Sequence, residues 1–374
     1  MFDCIVVGAG PAGASAAYHL AKRGRSVLLL EKHSLPRYKP CSGGVSPVVA
    51  QWFDFDFAPA IAQKVEMIRY TWKLEDPVIA KLETREPMWL VQRDVFDHFL
   101  VQQAQQQGAE LRDRTEVCQI SWQGDYWQVS TMGESVTGRY LIAADGAEGP
   151  LRRWLGFKPA KQRLGAVMET PTNGHTRQDV WFEFGLVKNG SIWSFPKGDH
   201  TTVGIATFIG GEPNDLTQTL QEYALQAGVA TADSHPLAHP LALWDGNQKL
   251  HGQNALLVGE AAALVDPFTA EGIRPGMYSG MKAAAAIDQA LQGNQAALEN
   301  YTQTIHQEWG ADLAWAQKLA GLFYRMPGVA YRLGIKRPMA TQRIGQILCG
   351  ELRYADVANY AIKKLSGSLI PGRG

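Results

Sequence analysis

The stretch that decides the fold is Asp3-Cys4-Ile5-Val6-Val7-Gly8-Ala9-Gly10-Pro11-Ala12-Gly13, followed by a helix to Arg23 and then Ser26-Val27-Leu28-Leu29-Leu30-Glu31. A buried strand, a G-x-G-x-x-G turn, a helix and a second strand ending in an acid form the dinucleotide-binding βαβ fingerprint. Gly8 allows the tight turn, Gly10 lets backbone approach a pyrophosphate, and Gly13 lets the helix pack closely on the strand. The helix N-terminus offers N–H groups and its positive dipole end to phosphates. Glu31 stands where an acid can hydrogen-bond a ribose hydroxyl. Ala12 and Lys32, beside these positions, join the candidate cofactor-binding set. A dinucleotide is therefore expected here.

With 374 residues, the chain is long enough for two or three domains. Its 36 basic and 36 acidic residues give no net field to recruit nucleic acid. The first residues read as a core strand, so no signal peptide is expected. Cys4, Cys41, Cys118 and Cys349 are scattered without a C-x-x-C pair, which suits a reducing cytoplasm. His235 and His239 are separated by Pro236, so they read as ordinary loop residues and no metal site is expected.

Further along, residues 94–107 read as a helix that Asp94 caps, with Arg93 just before it. Residues 110–131 read as short strands with a turn at Gln123-Gly124-Asp125. The run Arg139 to Ala144 is a buried strand ending at Asp145-Gly146. Residues 163–208 give strands broken at Thr172-Asn173-Gly174, Lys188-Asn189-Gly190 and Lys197-Gly198-Asp199, the signature of an antiparallel sheet. Asp215 to Gln226 reads as a helix beside it. Asn254 to Val258 returns as a core strand, and 271–291 is helical. Beyond Gly293 the chain is mostly helical, with breaks near Pro327-Gly328 and Pro338. The expected fold is α/β: a discontinuous Rossmann-like nucleotide domain (1–66, 94–160 and 252–296) with an inserted antiparallel β-sheet substrate domain (67–93 and 161–251) and a helical C-terminal region (297–374).

The second motif is Gly259-Glu260-Ala261-Ala262, followed by Asp266-Pro267 and Gly272-Ile273 at a helix start. An acid at a strand end can bind polyol hydroxyls. The backbone N–H groups of Gly272 and Ile273 suit the electron-rich pyrimidine edge of a reduced flavin. Arg152 and Arg153 read as solvated charges on a short helix. Trp181, Phe182, Phe184, Trp193 and Phe195 alternate along the sheet, so some share one face. The aromatics Trp309, Trp315, Phe323 and Tyr324 fit either helix packing or a membrane interface.

These motifs, with Asp145-Gly146 between them, resemble the glutathione-reductase-type flavoproteins of the aromatic-hydroxylase branch. Within it, Pro36-Arg37-Tyr38-Lys39-Pro40-Cys41-Ser42-Gly43-Gly44-Val45-Ser46 is similar to the P-R-x-K-x-C-G-G-x-x-S loop of the geranylgeranyl reductase family. Trp193-Ser194-Phe195-Pro196-Lys197-Gly198 is similar to its Y-x-W-x-F-P-K-G strand. The sequence departs from that pattern at Ser42 (usually Gly), Ser191 (usually Tyr) and Glu260 (usually Asp).

The resemblance implies FAD as cofactor, with Arg93, Asp145, Cys41, Gly43, Gly44, Gly259 and Glu260 contacting it. It implies reduction of isoprenoid double bonds, with Trp193 and Phe195 walling an apolar tunnel; Cys41, the only ionisable side chain in the Cys41-Ser42-Gly43-Gly44 loop, is the candidate proton donor or gate. No second G-x-G-x-x-G is visible, so electrons would come from transiently docked NADPH or from a small redox protein such as ferredoxin. Peripheral membrane contact is a further expectation. The rival reactions are flavin monooxygenation and halogenation, although no W-x-W-x-I-P element is found. A prenyl-binding carrier without redox chemistry is the third alternative.

Overall fold

The structure is a computed structural model and describes residues 1–172, 177–210, 215–230, 234–246 and 248–360. Strand Phe2–Val7 sits between Ser135–Ala143 and Val27–Leu30, and all three run parallel. Ala255–Leu257 extends one side and Glu110–Arg112 the other, again in parallel. Val27 to Leu30 are all buried, so the run has no polar face, as expected for a sheet covered on both sides. A hairpin, Val117–Trp122 and Trp127–Thr131, adds antiparallel strands beside Ser135–Ala143. It turns at Gly124, whose φ of +98° only glycine adopts readily.

Helices Pro11–Ala21 and Ile273–Leu291 pack in direct backbone contact. A Cβ on Gly280 would lie 2.2 Å from the Ala12 carbonyl oxygen, so only glycine permits this approach. Ser15 Oγ donates to the Met277 carbonyl at 2.7 Å, and Ser279 Oγ accepts from Gly259 N at 2.9 Å. This locks the first glycine turn and the Gly259 segment, 250 residues apart in sequence, onto one edge of the sheet.

The second layer is a seven-stranded sheet in the order Leu237–Ala238, Gly165–Pro171, His200–Thr207, Gly190–Pro196, Asp179–Phe184, Met67–Trp72 and Glu75–Lys81. It is antiparallel except where Asp179–Phe184 runs parallel to Met67–Trp72, a strand contributed from much earlier in the chain. Helix Leu216–Gln226 covers one face, and the Asp215 carboxylate caps it by accepting from Thr217 N and Gln218 N. A small sheet of Gly44–Val45, Met88–Leu90 and Gln63–Val65 straddles the two hydrophobic cores. The mixed α/β class with added antiparallel sheets and C-terminal helices is thus the observed one. Residues 173 and 174 of the expected Thr172-Asn173-Gly174 turn lie outside the described residues.

Several local expectations are corrected. The second helix spans Arg93–Gln106 with Gln92 as N-cap, so Arg93 lies inside the helix and Asp94 in its first turn. The cause is Asp97, one turn on, which holds Arg93 in an i,i+4 ion pair. Arg152 is buried rather than solvated: it donates to the Lys158 carbonyl at 2.6 Å and the Ala261 carbonyl at 2.7 Å. The breaks near Pro327-Gly328 and Pro338 are present as expected and fall just before these prolines, which open helices Pro327–Ala330 and Pro338–Leu348, since a first-turn proline loses no helical hydrogen bond.

The C-terminal aromatics seal helices to the sheet. Phe323 packs 5.1 Å from Phe184, and Tyr324 stacks on Phe208 at 4.6 Å. Trp309 packs 5.6 Å from Tyr278, and Trp315 lies partly buried in the same core. Phe323 and Tyr324 are therefore core residues and not membrane anchors. Among the described residues, no helix is long and apolar enough to cross a membrane.

Candidate active site

A cavity of about 640 Å³ lies where the edge of the parallel sheet meets the Gly190–Pro196 strand. That size falls within the roughly 300–1,000 Å³ typical of small-molecule sites. The three fingerprint glycines meet it differently. Gly8 has φ +106°, and a Cβ there would strike the Ala144 carbonyl oxygen at 2.3 Å. A Cβ on Gly13 would lie 1.9 Å from the Gly8 carbonyl oxygen. Both are imposed by the protein's own packing, and Gly13 does not line the cavity.

Gly10 is different. A Cβ there would meet only the guanidinium tips of Arg37 at 3.9 Å and Arg93 at 4.0 Å. Nothing in the polypeptide requires glycine at this position, so the space is available to a ligand. Among the described residues no side chain caps helix Pro11–Ala21, and its N-terminal N–H groups are left for an anion. A glycine cradle, an uncapped helix and two arginines fit the pyrophosphate of a dinucleotide.

The arginines are held from behind. Asp97, fully buried, accepts from Arg93 Nε and Nη2 at 2.7 and 2.8 Å and from Arg37 Nη1 at 2.9 Å. Glu31, at the end of Val27–Leu30, accepts from Ala9 N at 3.0 Å and lies 3.4 Å from Arg37 Nε. Lys32 lines the cavity from its exposed rim. Asp145 accepts from Leu151 N at 2.9 Å through Oδ2, while Oδ1 is buried with no hydrogen-bond partner among the described residues. Burial lifts this carboxyl to about 6.

Gly259, φ +58°, packs against Ala12, where a Cβ would approach to 2.7 Å. Glu260 lines the cavity, accepts from Ala242 N at 3.2 Å and lies 3.9 Å from His239 Nε2. Its extra methylene is what reaches the Leu241–Ala242 segment. Burial raises the Glu260 carboxyl, against the opposing pull of that N–H and of Lys39 and Arg93. His239 is thus a buried cavity residue and not an ordinary loop histidine. Burial first, then Lys39 and Arg93, hold its imidazole down to about 4. Gly272 and Ile273 open helix Ile273–Leu291 onto the cavity, again without a side-chain cap among the described residues.

The loop Cys41-Ser42-Gly43-Gly44 faces the sheet. Gly43 has φ +71°, and Gly44 sits under Phe195, whose ring would lie 2.8 Å from a Cβ there. Trp193 donates its indole N–H to Ser42 Oγ. Ser191, on the same sheet face, lies 3.3 Å through Oγ from the Tyr324 hydroxyl. The two serines that depart from the family pattern thus each meet an aromatic group. Trp193 pairs across strands with Phe182, and both line the cavity together with Phe195. Trp181 faces the other side of the sheet, with Arg177 stacked on its ring at 3.9 Å. Cys41 Sγ accepts from Gly43 N at 3.4 Å, and the Cys41 carbonyl accepts from Lys197 Nζ at 3.4 Å.

Arg37, Asp97, Lys197 and His239 are the site residues that sequence reasoning missed. Arg37 and Lys197 lay inside quoted motifs, and the i,i+4 spacing of Arg93 and Asp97 was a readable signal for the third. His239 gave none, because only tertiary contact brings it to Glu260.

The fold and this cradle define a flavin-nucleotide oxidoreductase. The FAD binding domain family matches residues 1–311, and the chain belongs to it. The chain is 29% identical to digeranylgeranylglycerophospholipid reductase 1 of Methanothermobacter thermautotrophicus, over 83% of this chain and 84% of that protein. The structure of a geranylgeranyl bacteriochlorophyll reductase-like protein from Thermoplasma acidophilum superposes with a TM-score of 0.77 at 22% identity, covering 94% of this chain and 92% of that one. A flavin-dependent brominase superposes at 0.73 with 18% identity, covering 98% and 99%. At these identities, the structural likenesses establish the fold.

Proposed function

We infer that this FAD-dependent oxidoreductase reduces carbon–carbon double bonds of an isoprenoid chain. The observation that carries the reading is the change in the cavity's character along its length. It passes from the arginine-flanked Gly10 cradle to a wall of Trp193, Phe182 and Phe195. A narrow arm of about 30 Å³, lined by Tyr70, Phe184, Phe268 and Tyr324, continues from that wall. A long apolar substrate accounts for the wall.

In this reading Gly10, Arg37, Arg93 and the first helix N-terminus hold the pyrophosphate, and Glu31 holds the adenosine ribose. Glu260 holds the polyol, and the N–H groups at Gly272 and Ile273 face the pyrimidine edge. Bound and reduced, FAD supplies the hydride. An isolated trisubstituted alkene has no carbonyl to accept charge, so positive charge builds on the more substituted carbon. The π face of Trp193 stabilises that charge, and the aromatic wall excludes water that would quench it. Cys41 delivers the proton to the other carbon. Lys197 acts behind it as a positioning residue, fixing the loop through the Cys41 carbonyl. Reducing equivalents come from NADPH or a ferredoxin-class protein.

The test is mass spectrometry of a geranylgeranyl lipid after anaerobic incubation with the reduced holoprotein. The expected result is a gain of two hydrogens per double bond. An oxygenated or halogenated product formed only in air would assign the protein to the rival reactions.

A further inference from the structure

Residues 313–350 carry Lys318, Arg325, Arg332, Lys336, Arg337 and Arg343 and no Asp or Glu, in a chain whose charges balance overall. The same stretch exposes large apolar side chains: Leu322 by 64%, Met326 by 54%, Val329 by 50%, Leu333 by 61% and Met339 by 52%. These are five of the fourteen exposed large hydrophobics among the described residues, so apolar exposure is concentrated here. Scattered exposed apolar residues need no explanation, but a basic, apolar cluster does.

Burial sets one face. In the helical run Pro327–Ala330 and Tyr331–Ile335, Tyr331 and Ile335 point into the core. Val329, Arg332, Leu333 and Lys336 are all exposed along the same run. Lys336 is paired with Asp76 at 2.6 Å, Lys318 lies over the Trp315 ring, and Arg343 over that of Tyr360. Arg325, Arg332 and Arg337 pair with no carboxylate among the described residues. Ile335 from this run, with Ile344 and Leu348 from helix Pro338–Leu348, lines the apolar arm of the cavity. A single helical layer therefore separates the exposed face from that arm.

The charge sign selects the occupant. A second copy meeting this face isologously would set Arg325 and Arg332 against themselves. Residues 361–374 contain Lys363, Lys364 and Arg373 and no acid, so they are a poor electrostatic match for it. We propose that this face, centred on Arg325, Val329, Arg332 and Leu333, docks on an anionic lipid bilayer. Apolar side chains would enter the interface while arginines meet the headgroups.

The test is co-sedimentation of the full-length holoprotein with vesicles of phosphatidylcholine, alone or mixed with phosphatidylglycerol. Binding is expected to the mixed vesicles only and to weaken with salt. The double variant Arg325→Glu/Arg332→Glu and the single variant Leu333→Asp should each lower partitioning by about tenfold or more, with flavin content unchanged. Equal binding to both vesicle types, or undiminished partitioning in both variants, would overturn the proposal. So would a dimer that Leu333→Asp abolishes, or vesicle binding seen only after residues 361–374 are removed. No turnover is needed, so the outcome stands apart from the isoprenoid reading.

Discussion

Asp97 and Arg93 form a doubly hydrogen-bonded pair one helical turn apart, and the same carboxylate holds Arg37 from the loop after Val27–Leu30. With no exposure of its own, the acid turns two guanidinium groups toward the Gly10 turn. Asp97→Asn keeps the shape but leaves buried Arg93 without its counterion and Arg37 with only its longer contact to Glu31. Breaking a buried pair in this way costs about 3–5 kcal/mol. The expected outcome is a large drop in denaturant midpoint together with weakened FAD retention. An unchanged midpoint would mean that the arginines are held by other groups.

Gly10 and Gly13 should fail in different ways. Gly10→Ala meets no protein atom within 3.9 Å, so the apoprotein should keep its stability while FAD content falls. Gly13→Ala drives a Cβ to 1.9 Å from the Gly8 carbonyl oxygen, so it should destabilise the fold itself. Flavin absorbance and thermal midpoint, measured on both variants, separate the roles. Full flavin content in Gly10→Ala would remove the pyrophosphate from this turn.

Much of this was legible because the fingerprint is local: strand, turn, helix and acid are contiguous in sequence. Gly259-Glu260 was legible for the same reason. The parallel pairing of Asp179–Phe184 with Met67–Trp72 was not, since a strand from over a hundred residues earlier supplies the partner. Nor was the true start of the second helix, where Asp94 carries a strong capping signal. The buried Arg93–Asp97 pair outweighs that signal and moves the boundary. Arg152 misled in the same way, because its partners come from the Ala261 turn and from beyond its own helix.

Glu260 offers a third prediction. If its carboxylate holds the cofactor polyol, Glu260→Ala loses a charge-assisted hydrogen bond worth about 1.5–3 kcal/mol. FAD affinity, measured by fluorescence titration of apoprotein, should fall about tenfold to a hundredfold. Glu260→Asp should fall less, although it also gives up the reach to Ala242 N. Unchanged affinity in the alanine variant would leave Glu260 as a link to that segment only.

His239 gives a pH signature. Its imidazole is held down to about 4, whereas an unfolded histidine titrates near 6.5. Acid therefore protonates the unfolded chain first. The stability is fully present above about pH 6.5 and is lost as pH falls toward 4, by about 2 kcal/mol between pH 7 and pH 5. His239→Asn should flatten the apoprotein's denaturant midpoint over that interval by a comparable amount. His19, also held down to about 4, should keep its own contribution in that variant. A pH profile identical to the parent would mean that His239 does not titrate this way.

Trp193 and Cys41 separate chemistry from cofactor binding. Trp193→Ala should stay yellow and lose prenyl reduction. Removal of a buried aromatic costs about 3–5 kcal/mol, so stability is measured alongside. Trp193→Phe, which keeps a π face, should retain part of the activity. Cys41→Ser should slow prenyl reduction sharply while dithionite still reduces the flavin normally. Parent-rate turnover in Cys41→Ser would remove the thiol from proton delivery.

The central claim is that an isoprenoid alkene is the acceptor at this flavin. The direct measurement is an anaerobic single turnover, in which a geranylgeranyl lipid is mixed with photoreduced holoprotein and the oxidised-flavin absorbance is followed. The account predicts that absorbance returns without oxygen, one flavin per double bond saturated, and that the fully saturated lipid leaves the flavin reduced. Reoxidation that requires oxygen, or that proceeds equally with the saturated lipid, would contradict it.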